Sequence, residues 1–191
     1  MINVVAEPTP NPATMKFLPG CPVMAEGTAN FPGADSAEDS PLALRLFGIE
    51  GVTGVFLGAD FVSVAKSGAV DWPALEPAIL REVAAHFEAG EPVLRGTGGH
   101  SEDVLGETED EGTGDGEVVA QIRELLDTRI RPSVALDGGD IVYRGFERGV
   151  VYLSLQGACV GCPSSNATLK MGVENLLKHY VPDVIRVEAV Q

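Results

Sequence analysis

The chain has 191 residues, enough for one or two small domains with cores of their own, and 45 % of them are hydrophobic, the share of a folded globular protein. A formal net charge of −15 repels phosphate backbones and argues against nucleic acid as a partner, and no run approaches the ~20 apolar residues of a membrane span. Three cysteines are too few and too unevenly spaced for a disulfide framework, which points to a reducing compartment.

The first ten residues, MINVVAEPTP, form neither a secretory signal nor an Arg-rich transit peptide. Bacterial cytoplasm is the expected setting, with a trimmed organellar protein as the alternative. The first domain is expected over residues 1–94 as a mixture of strands and helices. Ile2–Ala6 and Met15–Leu18 read as strands around the turn Thr9-Pro-Asn-Pro. Cys21 stands alone and reads as a free thiol with no assigned role. Pro41–Phe47 is a short helix. Gly54–Leu57 and Phe61–Lys66 form a hairpin with Gly-Ala-Asp in its turn. Asp71 caps a helix with Pro73 in its first turn, and Leu75, Ile79, Val83 and Phe87 form its buried stripe up to Gly90. Trp72 packs under that helix, and His86 is read as a surface residue.

Residues 95–116 read as a flexible acidic linker. From Gly96 to Gly116 there are seven acids, seven glycines and no Lys or Arg. Such a segment buries too little to offset its ordering entropy, and its r.m.s. reach would be roughly 25 Å. His100 within it has no expected role.

The second domain is expected over 117–191. Val118, Ile122, Leu125 and Leu126 line a helix that should end at Arg131-Pro132. Asp137-Gly-Gly-Asp140 makes a turn rather than a ligand site, and Ile141–Phe146 and Gly149–Gln156 pair across Glu147-Arg148. The loop Gly157-Ala-Cys-Val-Gly-Cys162 follows. Pro163 opens a helix with Leu169, Val173, Leu176, Leu177 and Tyr180 on one face, Pro182 ends it, and Val184–Val190 is a last strand. The halves do not repeat each other, so the fold class is α+β, with two small α+β domains on a linker.

The chemistry lies at Cys159 and Cys162. A C-x-x-C pair serves iron–sulfur clusters, zinc or dithiol–disulfide exchange. Gly161 permits a tight turn that could point both sulfurs outward. Unpaired N–H groups and the positive dipole end of the next helix favour a thiolate at Cys162. A dithiol–disulfide oxidoreductase is the leading alternative. It is weakened because the loop has no aromatic before Cys159 and no proline between the cysteines, and no βαβ start is evident. A zinc-bridged structural dimer is the third reading. Zinc wants four N or S ligands, and this domain offers two cysteines and His179. A cubane cluster takes four thiolates, so two chains meeting at this loop would share one. Neither a G-x-x-x-x-G-K-[ST] motif nor a catalytic triad is present, so the chain does not read as an enzyme.

Arg131-Pro-Ser-Val, Asp137-Gly-Gly-Asp-Ile-Val-Tyr, Gly145-Phe, Leu155-Gln-Gly-Ala-Cys-Val-Gly-Cys-Pro-Ser-Ser and Thr168-Leu-Lys together resemble the C-terminal domain of the Nfu/NifU scaffold family. Thr9-Pro-Asn-Pro, Lys16-Phe-Leu-Pro-Gly, Leu46-Phe, Gly51-Val, Val55-Phe, Asp60-Phe and Trp72 are similar to the N-terminal domain found on Nfu proteins. The resemblance implies a carrier of a [4Fe–4S] cluster, held by Cys159 and Cys162 and bridged between the subunits of a homodimer. Its implied partners are upstream cluster-assembly proteins and apo iron–sulfur clients. Ser164, Ser165 and Asn166 would be first-turn residues within hydrogen-bonding reach of cluster sulfurs.

Overall fold

The structure is a computed structural model that describes residues 2–95, 115–162 and 165–190. The linker expected over 95–116 therefore lies almost wholly outside the described residues, as does His100.

The first domain is a five-stranded antiparallel sheet with two helices on one face. Strands β1 (Val5–Pro8), β2 (Thr14–Leu18), β3 (Ala29–Phe31), β4 (Val52–Leu57) and β5 (Val62–Lys66) lie in the order β1-β2-β5-β4-β3. Helix α1 (Pro41–Phe47) starts at Ser40, whose hydroxyl accepts the Ala43 N–H at 3.1 Å. Helix α2 (Trp72–Ala89) carries Pro73 in its first turn and stops at Gly90, which adopts φ 66°. Leu75, Ile79 and Val83 are buried as the 3.6-residue period requires, and Phe87 packs partly buried beside them. The Trp72 indole donates to the Pro12 carbonyl at 2.9 Å. The short strand β3 was not legible, since three residues carry too little alternation to mark it.

Side chains alternate across a strand, and here both faces of the sheet are covered. Phe17, Val55, Leu57, Val62 and Val64 face the helices and form the core. Their neighbours Lys16, Phe56 and Ser63 point the other way and lie side by side, with Lys16 opposite Ser63 and Phe56 opposite Ser63 in the register. All three are buried, because the second domain packs on that face.

The second domain opens with α3 (Asp115–Leu125), two residues earlier than expected. A wider π-helical turn (Leu126–Ile130) follows and leads without a break into α4 (Arg131–Leu136). Arg131-Pro132 thus does not end the helix. The π-helical turn before it changes the hydrogen-bond ladder where Pro132 lacks an N–H, and the chain passes through the proline without stopping. The buried stripe Ile122, Leu126, Ile130, Val134 advances by four residues each time. A regular helix would let that stripe drift, and the wide turn brings it back toward the core. Strands β6 (Gly139–Glu147) and β7 (Val150–Gly157) pair antiparallel, and β8 (Arg186–Val190) pairs parallel with β7 after helix α5 (Ser165–Tyr180). The β6–β7 turn is Arg148-Gly149, at φ 50° and 80°, the twist that a two-residue hairpin favours. Val173 and Leu177 are buried on α5, but Tyr180 is exposed, with the Arg129 guanidinium 5.4 Å from its ring centre. No helix among the described residues is long and apolar enough to cross a membrane.

His86 is not a surface residue. It is fully buried on α2, edge-on to Phe87, and among the described residues neither ring nitrogen has a hydrogen-bond partner. The nearest charges are Glu91, 3.9 Å from Nδ1, and Arg45, which itself pairs with Glu91. Burial lowers its pKa below the usual histidine value, against an opposing pull from Glu91. The folded protein holds it neutral while the unfolded chain protonates near pH 6.5, so acid favours unfolding. Denaturant titrations at pH 7.5 and 5.5 are expected to show a loss of first-domain stability at the lower pH. His86→Leu is expected to remove most of that loss.

Candidate functional site

Strands β6 and β7 end together, with Gly139 paired to Gly157, and the cysteine loop leaves the sheet there. Gly157 (φ 61°) and Gly161 (φ 68°) turn the chain through conformations that residues with a Cβ seldom adopt. The Val160 N–H bonds back to the Gly157 carbonyl at 3.1 Å, and the Ala158 N–H to Gly138 at 3.1 Å. Cys159 and Cys162 therefore stand at either end of a tight turn just ahead of α5. Ser165 and Asn166 begin that helix, whereas Pro163 and Ser164 lie outside the described residues.

The sulfurs do not point outward as expected. Cys159 is 4 % exposed and Cys162 1 %. A Cβ placed on Gly139 would come within 2.5 Å of the Cys159 sulfur and 2.8 Å of the Gln156 carbonyl. Only glycine lets the strand lie this close under the thiol. Burial, then the carboxylates of Asp137 and Asp140 and the neighbouring Cys162, push the Cys159 pKa up to about 12. In this arrangement Cys159 is a protonated thiol and not the thiolate that metal binding or disulfide exchange requires. His179 is exposed near the other end of α5, fourteen residues or about 21 Å of helix beyond Ser165, and adds no third ligand beside the cysteines.

The first domain packs against the backbone of this loop, while Cys159 itself joins the second domain's core. The Asn11 side chain donates from Nδ2 to the carbonyls of Ala158 and Val160, each at 3.0 Å, one on either side of Cys159. Its Oδ1 accepts the Ala13 N–H at 3.0 Å, which fixes the orientation of the amide. The Ser63 hydroxyl donates to the Gly138 carbonyl at 2.7 Å, and the Lys16 ammonium to the Leu136 carbonyl at 3.0 Å. Thr28 donates to Asp140 at 3.1 Å, and the Arg131 guanidinium grips the same carboxylate through two bonds of 2.9 and 2.7 Å. The Phe56 ring packs so close to Gly157 that a Cβ there would sit 2.9 Å from it. A cavity of about 430 Å³ borders Cys159, with Leu169 and Val173 of α5 on one side and Pro10 of the first domain on another.

The sequence reading brought the two cysteines to one loop but missed Asn11, Lys16, Ser63 and Asp140. One signal was present: Phe56 lies out of phase with the core residues Val55 and Leu57, and an apolar residue on the second face marks a covered sheet. The second domain starts on helices and so has no βαβ start, but it ends on one such unit, β7, α5 and β8, with the cysteines at the strand-to-helix junction.

Two family descriptions match the chain, "Scaffold protein Nfu/NifU N terminal" over residues 4–90 and "NifU-like domain" over 122–188. The chain is 48 % identical to the human "NFU1 iron-sulfur cluster scaffold homolog, mitochondrial" over 98 % of its own length and 71 % of that protein's. It is 49 % identical to "NifU-like protein 5, mitochondrial" of Arabidopsis thaliana, across 97 % of this chain and 66 % of the relative. Against the Drosophila erecta homologue, also named an NFU1 scaffold and mitochondrial, the figures are 46 %, 98 % and 64 %. The chain thus spans about two thirds of these relatives. Their mitochondrial names overturn the expected bacterial cytoplasmic setting. That expectation was drawn from the first residues of a chain shorter than its relatives, and where such a sequence begins says nothing of compartment. Both domains and their order are shared, and the chain belongs to the Nfu/NifU family of iron–sulfur cluster scaffold proteins.

Proposed function

We propose that the protein carries a [4Fe–4S] cluster as cargo, held by Cys159 and Cys162 of two chains, and passes it to apoproteins by thiolate exchange. The observation that carries this reading is the donor set. Each chain presents one C-x-x-C loop, buttressed by Gly139 and aimed by the end of a hairpin. With three cysteines in all, no single copy supplies the four thiolates of a cubane. Two loops meeting at an interface supply four, and a cluster held half by each chain opens more readily than one inside a single core. Incoming client thiolates would replace the cysteines of one chain and then the other, each thiolate displaced taking up a proton, with no nucleotide required. The relatives' names support the scaffold role and an organellar setting. The dithiol oxidoreductase reading is weaker, because the loop has no aromatic before Cys159 and no proline between the cysteines, and the relatives are named as scaffolds.

Two outcomes test this reading. Cys159→Ser or Cys162→Ser is expected to abolish stable cluster binding, since one substitution per chain removes two of four thiolates, whereas Cys21→Ser leaves iron content unchanged. Iron loss in the Cys21 variant would place a ligand in the first domain. Loaded protein is also expected to hold about two iron and about two sulfide per chain and to run as a dimer, because a ligand that binds only the paired state favours pairing. Anaerobic sizing with iron and sulfide analysis, before and after chelation, measures both. A monomer bearing four irons would sink the bridging model.

A further inference from the structure

The arrangement of the two domains is incompatible with a shared cluster. Thiols that are 4 % and 1 % exposed cannot meet those of a second chain. We propose that the first domain is a cap on the cysteine loop, latched by Asn11 and Ser63, and that the cap lifts before two loops come together. The proposal rests on the bridging reading above for its purpose, but its geometry stands on this chain alone.

The interface has the character of a built seal. The five polar bonds described across it all run the same way: the first domain donates through Asn11, Lys16, Ser63 and Thr28, and the second accepts through four carbonyls and one carboxylate. Asn11 and Ser63 are themselves 4 % and 1 % exposed, so these bonds are shielded from water. The Asn11 amide is pre-positioned. It sits between Pro10 and Pro12 in a turn where Thr9 accepts the Asn11 N–H at 3.2 Å and the Thr14 N–H bonds to the Asn11 carbonyl at 2.9 Å. Its two donors bracket Cys159, so the latch acts on the peptide units that aim the thiol. Pro10, from the same turn, walls the cavity beside that thiol. Lifting one turn therefore frees the loop carbonyls and opens the cavity at once.

Asn11→Asp tests the latch with little harm to the first domain. A carboxylate still accepts the Ala13 N–H but loses both donors and faces two carbonyls with like charge. Ser63→Ala removes the other latch bond at nearly constant volume, and it keeps the test decisive should Asn11→Asp misfold. Full-length apoprotein in a Cys21→Ser background is treated with iodoacetamide at pH 8, and alkylation of Cys159 and Cys162 is followed by mass spectrometry. The parent is expected to react slowly and each variant about tenfold faster, as loss of one or two buried hydrogen bonds implies. Equal rates in the parent and both variants overturn the cap. Iron loading on the same proteins separates the two ideas. Unchanged alkylation with normal loading removes the cap and leaves the carrier. Faster alkylation in the variants with no iron on any protein keeps the cap and removes the carrier.

Discussion

Two backbone carbonyls beside Cys159 need donors, and much of the molecule is arranged around supplying them. A loop that turns sharply enough to hold two sulfurs together leaves its ladder, so its carbonyls lose their strand partners. A buried carbonyl left unpaired costs on the order of 1–3 kcal/mol. One asparagine amide satisfies both Ala158 and Val160, because Oδ1 is already committed to Ala13 and Nδ2 has two hydrogens to give. The Cys159 thiol packs with the second domain's own core, and the turn that brings the amide also places Pro10 on the wall of the cavity beside it.

The same constraint explains why the first domain's sheet is buried on both faces. Strands β2, β4 and β5 send every second residue to the helices and the others toward the loop. The second set is unlike a core. Lys16 is nearly buried, yet its ammonium has the Leu136 carbonyl, the Glu7 carboxylate at 3.3 Å and the Phe61 ring within 5.6 Å. A cation needs that many partners away from water. Phe56 supplies the apolar contact and packs on Gly157, where the missing side chain makes room. The interface thus mixes donors with one flat aromatic surface, which suits a glycine-rich loop with carbonyls to satisfy and no side chains of its own to pack.

Local rules made much of this legible. The stripe of α2, the Gly-Ala-Asp turn between β4 and β5, and the placement of the cysteines between strand and helix all follow from period, turn chemistry and glycine position. The failures share a cause. Pro132 reads as a helix end because the reading allows only one helical pitch, and the wide turn before it is set by packing of Ile130 and Val134. His86 reads as exposed because polarity was weighed above its place three residues past Val83, on the buried side. The loop reads as outward-facing because a covering partner 147 residues away from Ala158 leaves no trace in the loop itself. The latch residues are ordinary in sequence, an asparagine in a proline turn and a serine in a strand, and only the docking gives them a role.

Burial of the thiols and the ability to hold a cluster pull in opposite directions, and the proposed cap reconciles them. A thiol shielded from water is kept protonated, and a protonated thiol resists oxidation as well as metal. Iron needs the thiolate, so loading releases protons and demands the open, solvated loop. Under the proposed cap, apparent affinity for a cluster would be scaled by the fraction of molecules that are open, so each latch bond would tune affinity without touching a proposed ligand. On the bridging proposal the cap has to be strong enough to protect an empty loop and weak enough to yield to the two iron–thiolate bonds that each chain would contribute. A seal made of three neutral hydrogen bonds, two charge-assisted ones and an aromatic contact meets both demands, because such bonds contribute only about 0.5–3 kcal/mol each. A seal built around a larger apolar patch would hold the loop shut after iron arrived.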